Sequence, residues 1–98
     1  MTDKNKRFTK GIIRKREDLT SDLWKVWIEP GEKFNFDPGQ YCTVGYKDIE
    51  RPYSIASSPD EDLIELFIEL VPKPLGNLTP LLHKLNVGAE ITLRKRPT

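Results

Sequence analysis

Residues 63–71 read Leu63-Ile64-Glu65-Leu66-Phe67-Ile68-Glu69-Leu70-Val71, and their spacing decides the fold. Ile64, Leu66, Ile68 and Leu70 recur at every second position, with Glu65, Phe67 and Glu69 between them. A repeat of two sends the first set to one side of an extended chain and the second to the other, so this is a half-buried strand with one aromatic on its polar face. Upstream, residues 23–29 (LWKVWIE) repeat the pattern: Trp24, Val26 and Ile28 oppose Leu23, Lys25, Trp27 and Glu29. Residues 40–46 (QYCTVGY), 52–57 (PYSIAS) and 90–95 (EITLRK) are shorter runs of β-branched and aromatic residues and read as further strands. Residues 8–16 form a first strand with poor alternation. Turn chemistry separates the strands at Glu29-Pro30-Gly31, Asp37-Pro38-Gly39, Ser58-Pro59-Asp60 and Pro72-Lys73-Pro74-Leu75-Gly76.

One stretch departs from the period of two. Leu78, Leu81, Leu82 and Leu85 fall at helical spacing. Thr79 before Pro80 reads as an N-cap and first-turn pair, because a hydroxyl can accept a backbone N–H and proline has none to satisfy. Gly88, able to take a left-handed conformation, ends the segment. The expected fold is all-β: a six-stranded antiparallel Greek-key barrel with one short capping helix over about residues 79–86. Closure removes sheet edges, and the helix plugs one end.

The 98 residues suffice for one domain, 1–98. A chain this short buries only about 60–65% of its extended surface, which supports a small barrel and excludes a two-domain enzyme. With 37% hydrophobic and 32% charged residues, it is neither a disordered tail nor a membrane protein. No apolar run approaches a spanning helix and the N-terminus lacks an apolar signal segment, so the expected location is the cytoplasm, with no membrane partner. A single cysteine, Cys42, excludes an internal disulfide and a zinc site of paired thiolates; between apolar neighbours it reads as a buried small hydrophobe. No metal is expected. The net charge of +1 hides an asymmetry: residues 1–16 carry +6, residues 17–51 carry −4 and the rest −1. A basic first segment can meet phosphates or an acidic protein, or can simply solubilise a strand.

Chemistry concentrates in two places. Arg51-Pro52-Tyr53-Ser54 sets a guanidinium fork, a ring and a hydroxyl within four residues. Pro52 cannot donate to a ladder, so its strand is expected at an edge or a bulge. Gly76-Asn77-Leu78-Thr79 leads into the helix, whose first N–H groups have no partner and favour an anion. If both face one cleft, the cleft suits a phosphorylated aromatic ligand.

The segment RPYSIASSP, the strand IELFIELV and then GNLTPLLHKLNVGAEITL resemble, in this order, the FAD-binding domain of the ferredoxin–NADP reductase family, and among its members the bacterial reductases of ferredoxin or flavodoxin. Phe36-Asp37-Pro38-Gly39-Gln40-Tyr41 resembles the family's approach to its third strand. The resemblance spans residues 34–98. It implies that Arg51 binds the flavin phosphate or pyrophosphate, with Pro52 in the same motif. Tyr53 would lie against the isoalloxazine ring and Ser54 near its N5 edge, these two being the expected catalytic residues. Ile68, Glu69 and Leu70 would offer backbone groups to the pyrimidine side, and Gly76, Asn77, Leu78 and Thr79 backbone N–H groups to the phosphates. The implied cofactor is FAD, with FMN presenting a phosphate to the same groups. NADP(H) would act only through a nicotinamide-binding domain that this chain does not contain. The implied function is the flavin-binding half of an NAD(P)H-dependent ferredoxin or flavodoxin reductase, an oxidoreductase that is inactive in hydride transfer as this chain alone. Its partners would be ferredoxin or flavodoxin and the nicotinamide domain of the parent reductase. Ala89 stands where the family has an acid, and Pro72–Leu75 is longer and more rigid than the usual loop.

Other residues are read more plainly. His83 is expected on the solvent face. Trp27 either covers a barrel end, contacts adenine or meets a partner, and Arg94, Lys95 and Arg96 could steer an acidic carrier. Two further readings differ in function. One is an electron-transfer flavin subunit of an oxygenase or dihydroorotate dehydrogenase system. The other is a small barrel that stacks single-stranded nucleic acid on Trp27 and Tyr46; the −5 balance of residues 17–98 leaves it no continuous basic groove, so no nucleic acid is expected.

Overall fold

The computed structural model describes residues 7–98. Six strands form one antiparallel sheet: β1 (Phe8–Asp18), β2 (Leu23–Pro30), β3 (Tyr41–Tyr46), β4 (Ile49–Ser54), β5 (Ile64–Glu69) and β6 (Glu90–Arg94). Their spatial order is β4-β3-β6-β1-β2-β5, a Greek-key order in which β6 returns to lie between two hairpins. The sheet curls until its two ends meet at a single bridge, Ile55 to Leu66. The barrel is therefore nearly closed, with a seam between β4 and β5. The short helix α1 (Thr79–His83) lies in the connection from β5 to β6.

The period-two strands behave as their sequences dictate. Trp24, Val26 and Ile28 from β2 and Ile64, Leu66 and Ile68 from β5 point inward, and each is at most 3% exposed. They pack with Val44, Cys42, Ile91, Leu93 and the helix residues Leu78 and Leu82 into one core. Burial of an apolar side chain of this size contributes about 1.5–3 kcal/mol. Cys42 has no exposed surface, and burial pushes its thiol up from 9.0 to about 12. The raised value means that the folded protein keeps the proton between pH 9 and 12 while the unfolded chain releases it. Stability from this group is thus full below pH 9 and declines as pH rises through that window.

The poor alternation of β1 has a structural cause. Its register against β2 shifts between Ile13 and Lys15, an extra residue that rotates the faces of the strand. The strand expected over 52–57 begins earlier, at Ile49, and keeps only the Ile55 bridge beyond Ser54. Pro52 is accommodated because β4 is an edge strand of the sheet.

The helix is shorter than the expected 79–86, and its capping differs. Leu78 is the N-cap residue and makes no side-chain cap. The Thr79 hydroxyl instead accepts from the Val71 N–H (2.9 Å) and donates to the Val71 carbonyl (3.2 Å), because the loop after β5 folds back onto it. At the other end, Arg16 from β1 donates through Nη1 to the carbonyls of His83 (2.8 Å) and Leu85 (2.7 Å). Those carbonyls are turned out of the helical ladder toward a fixed cation, so α1 stops at His83. Its residue 83 ring is half-buried, contrary to the solvent face expected: it meets Trp24 edge-on at 4.9 Å, and Nε2 lies 3.1 Å from the Ser21 carbonyl. Arg16 also stacks 5.0 Å from the Trp24 ring and pairs with Asp18. Among the described residues no helix is long and apolar enough to cross a membrane.

Arg16 thus ties β1, Trp24 and the end of α1 together, with only 13% of its side chain exposed. Arg16→Ala is expected to lower the urea-unfolding free energy by about 2–3 kcal/mol, the worth of a charge-assisted hydrogen bond in a part-buried setting. Arg16→Lys recovers only part, since an ammonium has no separate Nε–H for Asp18 and no planar face to lay on the Trp24 ring. A change below about 0.5 kcal/mol would contradict this clamp.

Candidate functional site

The seam follows from pairing. β4 pairs with β3 on one side, and on the other meets β5 only at Ile55. β5 pairs with β2 alone, from Leu23–Glu69 to Ile28–Ile64. Both edges therefore present unpaired backbone groups across the gap. Into the same gap comes the segment leading to α1.

Alternation along β4 sorts the motif residues. Arg51 pairs with Val44 and Tyr53 with Cys42, both buried interior positions, so Arg51 and Tyr53 share the inner face. Pro52 and Ser54 fall on the outer face and are exposed. At the edge of the sheet the inner face opens into the seam, and there Arg51 is exposed while Tyr53 is half-buried against the core. Burial pushes the Tyr53 phenol above its usual value, and the Arg51 guanidinium opposes that shift. A phenol so placed stays neutral and can donate a hydrogen bond.

Arg51 crosses the seam. Its Nη2 donates to Asn77 Oδ1 at 3.0 Å, and its Nη1 donates to the Glu50 carbonyl at 2.6 Å. The Nε–H and one N–H on each terminal nitrogen remain for another acceptor. The next feature is the packing of Gly76. A Cβ there would fall inside the Val71 carbonyl, so only hydrogen fits, and the Gly76 N–H donates to the Pro72 carbonyl at 3.0 Å. Leu78 and Thr79 are buried beneath. Among the described residues the N–H groups of Asn77, Leu78 and Thr79 donate to no protein acceptor. The loop is thus held by its neighbours, and the Arg51 guanidinium meets it at Asn77.

The other predicted positions divide. Ile68 is a core residue at 3% exposure, so only its backbone is available. Glu69 is exposed on the outer face, and the Leu70 N–H is engaged by the Asp22 carbonyl at 2.7 Å. Ser54 lies at the seam but faces away from Tyr53. Trp27 sits on the outer face between Lys15 (4.6 Å) and Lys25 (5.9 Å), rather than at a barrel end. Of the three terminal cations, Arg94 is held by Glu50 at 2.6 Å and Lys95 by Glu32 at 3.2 Å, leaving Arg96 exposed. The side-chain contact of Asn77 had no signal in the sequence, since 26 residues separate it from Arg51. Among the described residues no cluster of three His, Cys, Asp or Glu side chains suits a metal. The open basin of about 850 Å³ lined by Arg7, Lys10, Tyr46, Thr92 and Arg94 lies elsewhere and includes none of the residues expected at the flavin.

The packing of Gly76 can be tested directly. Gly76→Ala is expected to destabilise the protein by about 1–3 kcal/mol in urea unfolding, as overpacking does. A neutral effect would show that the loop does not lie against Val71.

No protein-family model matches the chain. It is 32% identical over 89 residues to the ferredoxin–NAD(P)+ reductase component of the naphthalene 1,2-dioxygenase/salicylate 5-hydroxylase systems of Ralstonia sp, covering 89% of this chain and 26% of that protein. It is 32% identical over 95 residues to ferredoxin–NADP reductase A of Sorangium cellulosum, covering 93% of this chain and 34% of the relative. The chain therefore spans about a quarter to a third of the length of these two relatives. Among solved structures, a ferredoxin NADP+ reductase from Neisseria gonorrhoeae with bound FAD and NADP superposes with a TM-score of 0.87 at 29% identity, over 94% of this chain and 38% of that one. Sequence order, barrel topology and the superposition agree: the relatives and structural neighbours of this chain are ferredoxin–NADP reductases.

Proposed function

We propose that this chain binds FAD along the seam between β4 and the loop before α1, as the flavin-bearing barrel of an NAD(P)H-dependent reductase of ferredoxin or flavodoxin. The observation that carries the reading is Arg51 reaching across the seam to Asn77 with the Tyr53 ring on the same face. The residues present fit a dinucleotide flavin. Arg51 keeps unused donors for a phosphate, and the N–H groups of Asn77, Leu78 and Thr79 supply more. Gly76 lets the loop pack where a Cβ would collide. Tyr53 offers a half-buried ring, with Ser54 at the strand end beside it. On the open edge of β5 the backbone of Glu69 would serve the ring's hydrogen-bonding side, the Leu70 N–H being already engaged by the Asp22 carbonyl.

When bound, the flavin would accept a hydride from a nicotinamide and pass electrons singly to a carrier. The protein supplies orientation and electrostatics. In this chain Arg51 would neutralise and orient the phosphates, and Tyr53 would cover one ring face and exclude water from it. The nicotinamide would be bound by a separate domain of the reductase. FMN fits the same phosphate donors. The names of the relatives that serve naphthalene and salicylate oxygenase systems favour a ferredoxin of an oxygenase system as the electron acceptor.

The protein is expected to take up FAD with quenching of flavin fluorescence. Arg51→Ala should weaken that binding by about 1.5–3 kcal/mol, the range of a hydrogen bond to a charged group. A titration in which neither FAD nor FMN binds would contradict the reading, and an unchanged affinity in the variant would remove Arg51 from the phosphate site.

A further inference from the structure

We propose that Asn77 is a positioning residue whose side-chain carbonyl fixes the Arg51 guanidinium across the seam, so that it tunes affinity for the phosphate of a flavin nucleotide and not for the ring. This inference rests on the flavin reading above but assigns to the Asn77 side chain a role distinct from that of its backbone N–H.

An exposed arginine on an edge strand samples many rotamers, and fixing such a side chain costs conformational entropy. Arg51 has two restraints. The Glu50 carbonyl at 2.6 Å belongs to the adjacent residue and moves with the strand. The Asn77 bond at 3.0 Å is the one that spans the seam, joining β4 to the loop before α1. The acceptor must be the amide oxygen, because arginine has no acceptor of its own.

Asn77 is itself well placed to serve as an anchor. It sits between Gly76, which is packed on Val71, and the buried pair Leu78 and Thr79, the latter hydrogen-bonded to Val71 at both its donor and acceptor. Its backbone is thereby fixed while its side chain remains exposed at the seam. The chemistry of the amide also matters. A carboxylate in its place would hold Arg51 more tightly and cancel its charge, competing with the phosphate it has to meet. An amide orients the guanidinium and leaves its charge intact. The neutral partner keeps the cation available.

The test compares wild type, Asn77→Ala, Asn77→Asp, Arg51→Ala and the Arg51→Ala/Asn77→Ala pair by titration with FAD, FMN and riboflavin, the last of which has the ring and no phosphate. Asn77→Ala should lower the FMN-to-riboflavin affinity ratio three- to tenfold, and Asn77→Asp should lower it further. The double variant should bind FMN no more weakly than Arg51→Ala alone, since Asn77 acts through Arg51. Equal losses for FMN and riboflavin, or additive losses in the pair, would overturn the proposal and indicate a loop that is merely structural. Nitrogen NMR of the Arg51 guanidinium without flavin supplies a second reading: rotation about its terminal C–N bonds should be faster in Asn77→Ala, and an unchanged rate overturns the proposal. Should wild type bind none of the flavins, the functional reading falls while the guanidinium measurement still decides whether Asn77 holds Arg51.

Discussion

The rest of the structure depends on one missing ladder. A six-stranded barrel can satisfy every backbone group by closing completely, yet here β4 and β5 meet at one bridge and then diverge. The gap leaves two strand edges unpaired, and such edges invite pairing with another chain. This protein covers the place with the loop before α1. The loop is held in turn by Thr79 against Val71, by Gly76 at a contact that tolerates no Cβ, and by Leu78 and Leu82 in the core. The Arg51–Asn77 hydrogen bond joins that loop to β4.

The two ends of α1 act in series. Arg16 satisfies the carbonyls at the helix end and seals Trp24 together with His83. Thr79 and Leu78 pin the helix start. Between them, a helix of five residues, too short to be stable alone, is held by tertiary contacts at both ends. What it gains is a rigid approach to the seam, so that Arg51 finds a fixed partner rather than a moving loop. Stability and site geometry are thus carried by the same contacts.

Much of this was legible in the sequence, and the reasons are physical. β2 and β5 have one wet and one dry face, so Trp24 to Ile28 and Ile64 to Ile68 announce themselves by alternation. Pro52 marked β4 as an edge. The resemblance of the motif order pointed to Arg51 and to Gly76–Thr79, two segments that the structure joins through Asn77. Other features could not be read. The bulge after Ile13 breaks the alternation of β1, and sequence spacing alone does not locate the extra residue. Arg16 looked like one more charge in a basic run, because nothing local shows that its guanidinium reaches residues 83 and 85. Thr79 before Pro80 has the signature of a cap, but the fold of the preceding loop brings Val71 within reach and claims the hydroxyl. Burial of His83 against Trp24, like the Arg51–Asn77 contact, exists only once distant segments have met.

The central claim is that the opening between β4 and β5, and no other surface of this barrel, receives a flavin. Backbone amide chemical-shift mapping during addition of FAD tests it most directly. The account predicts that the shifts cluster at Arg51, Tyr53, Ser54 and Gly76–Thr79. Shifts centred instead on the Arg7–Thr92 basin, or on the outer face around Trp27 and Phe67, would contradict it.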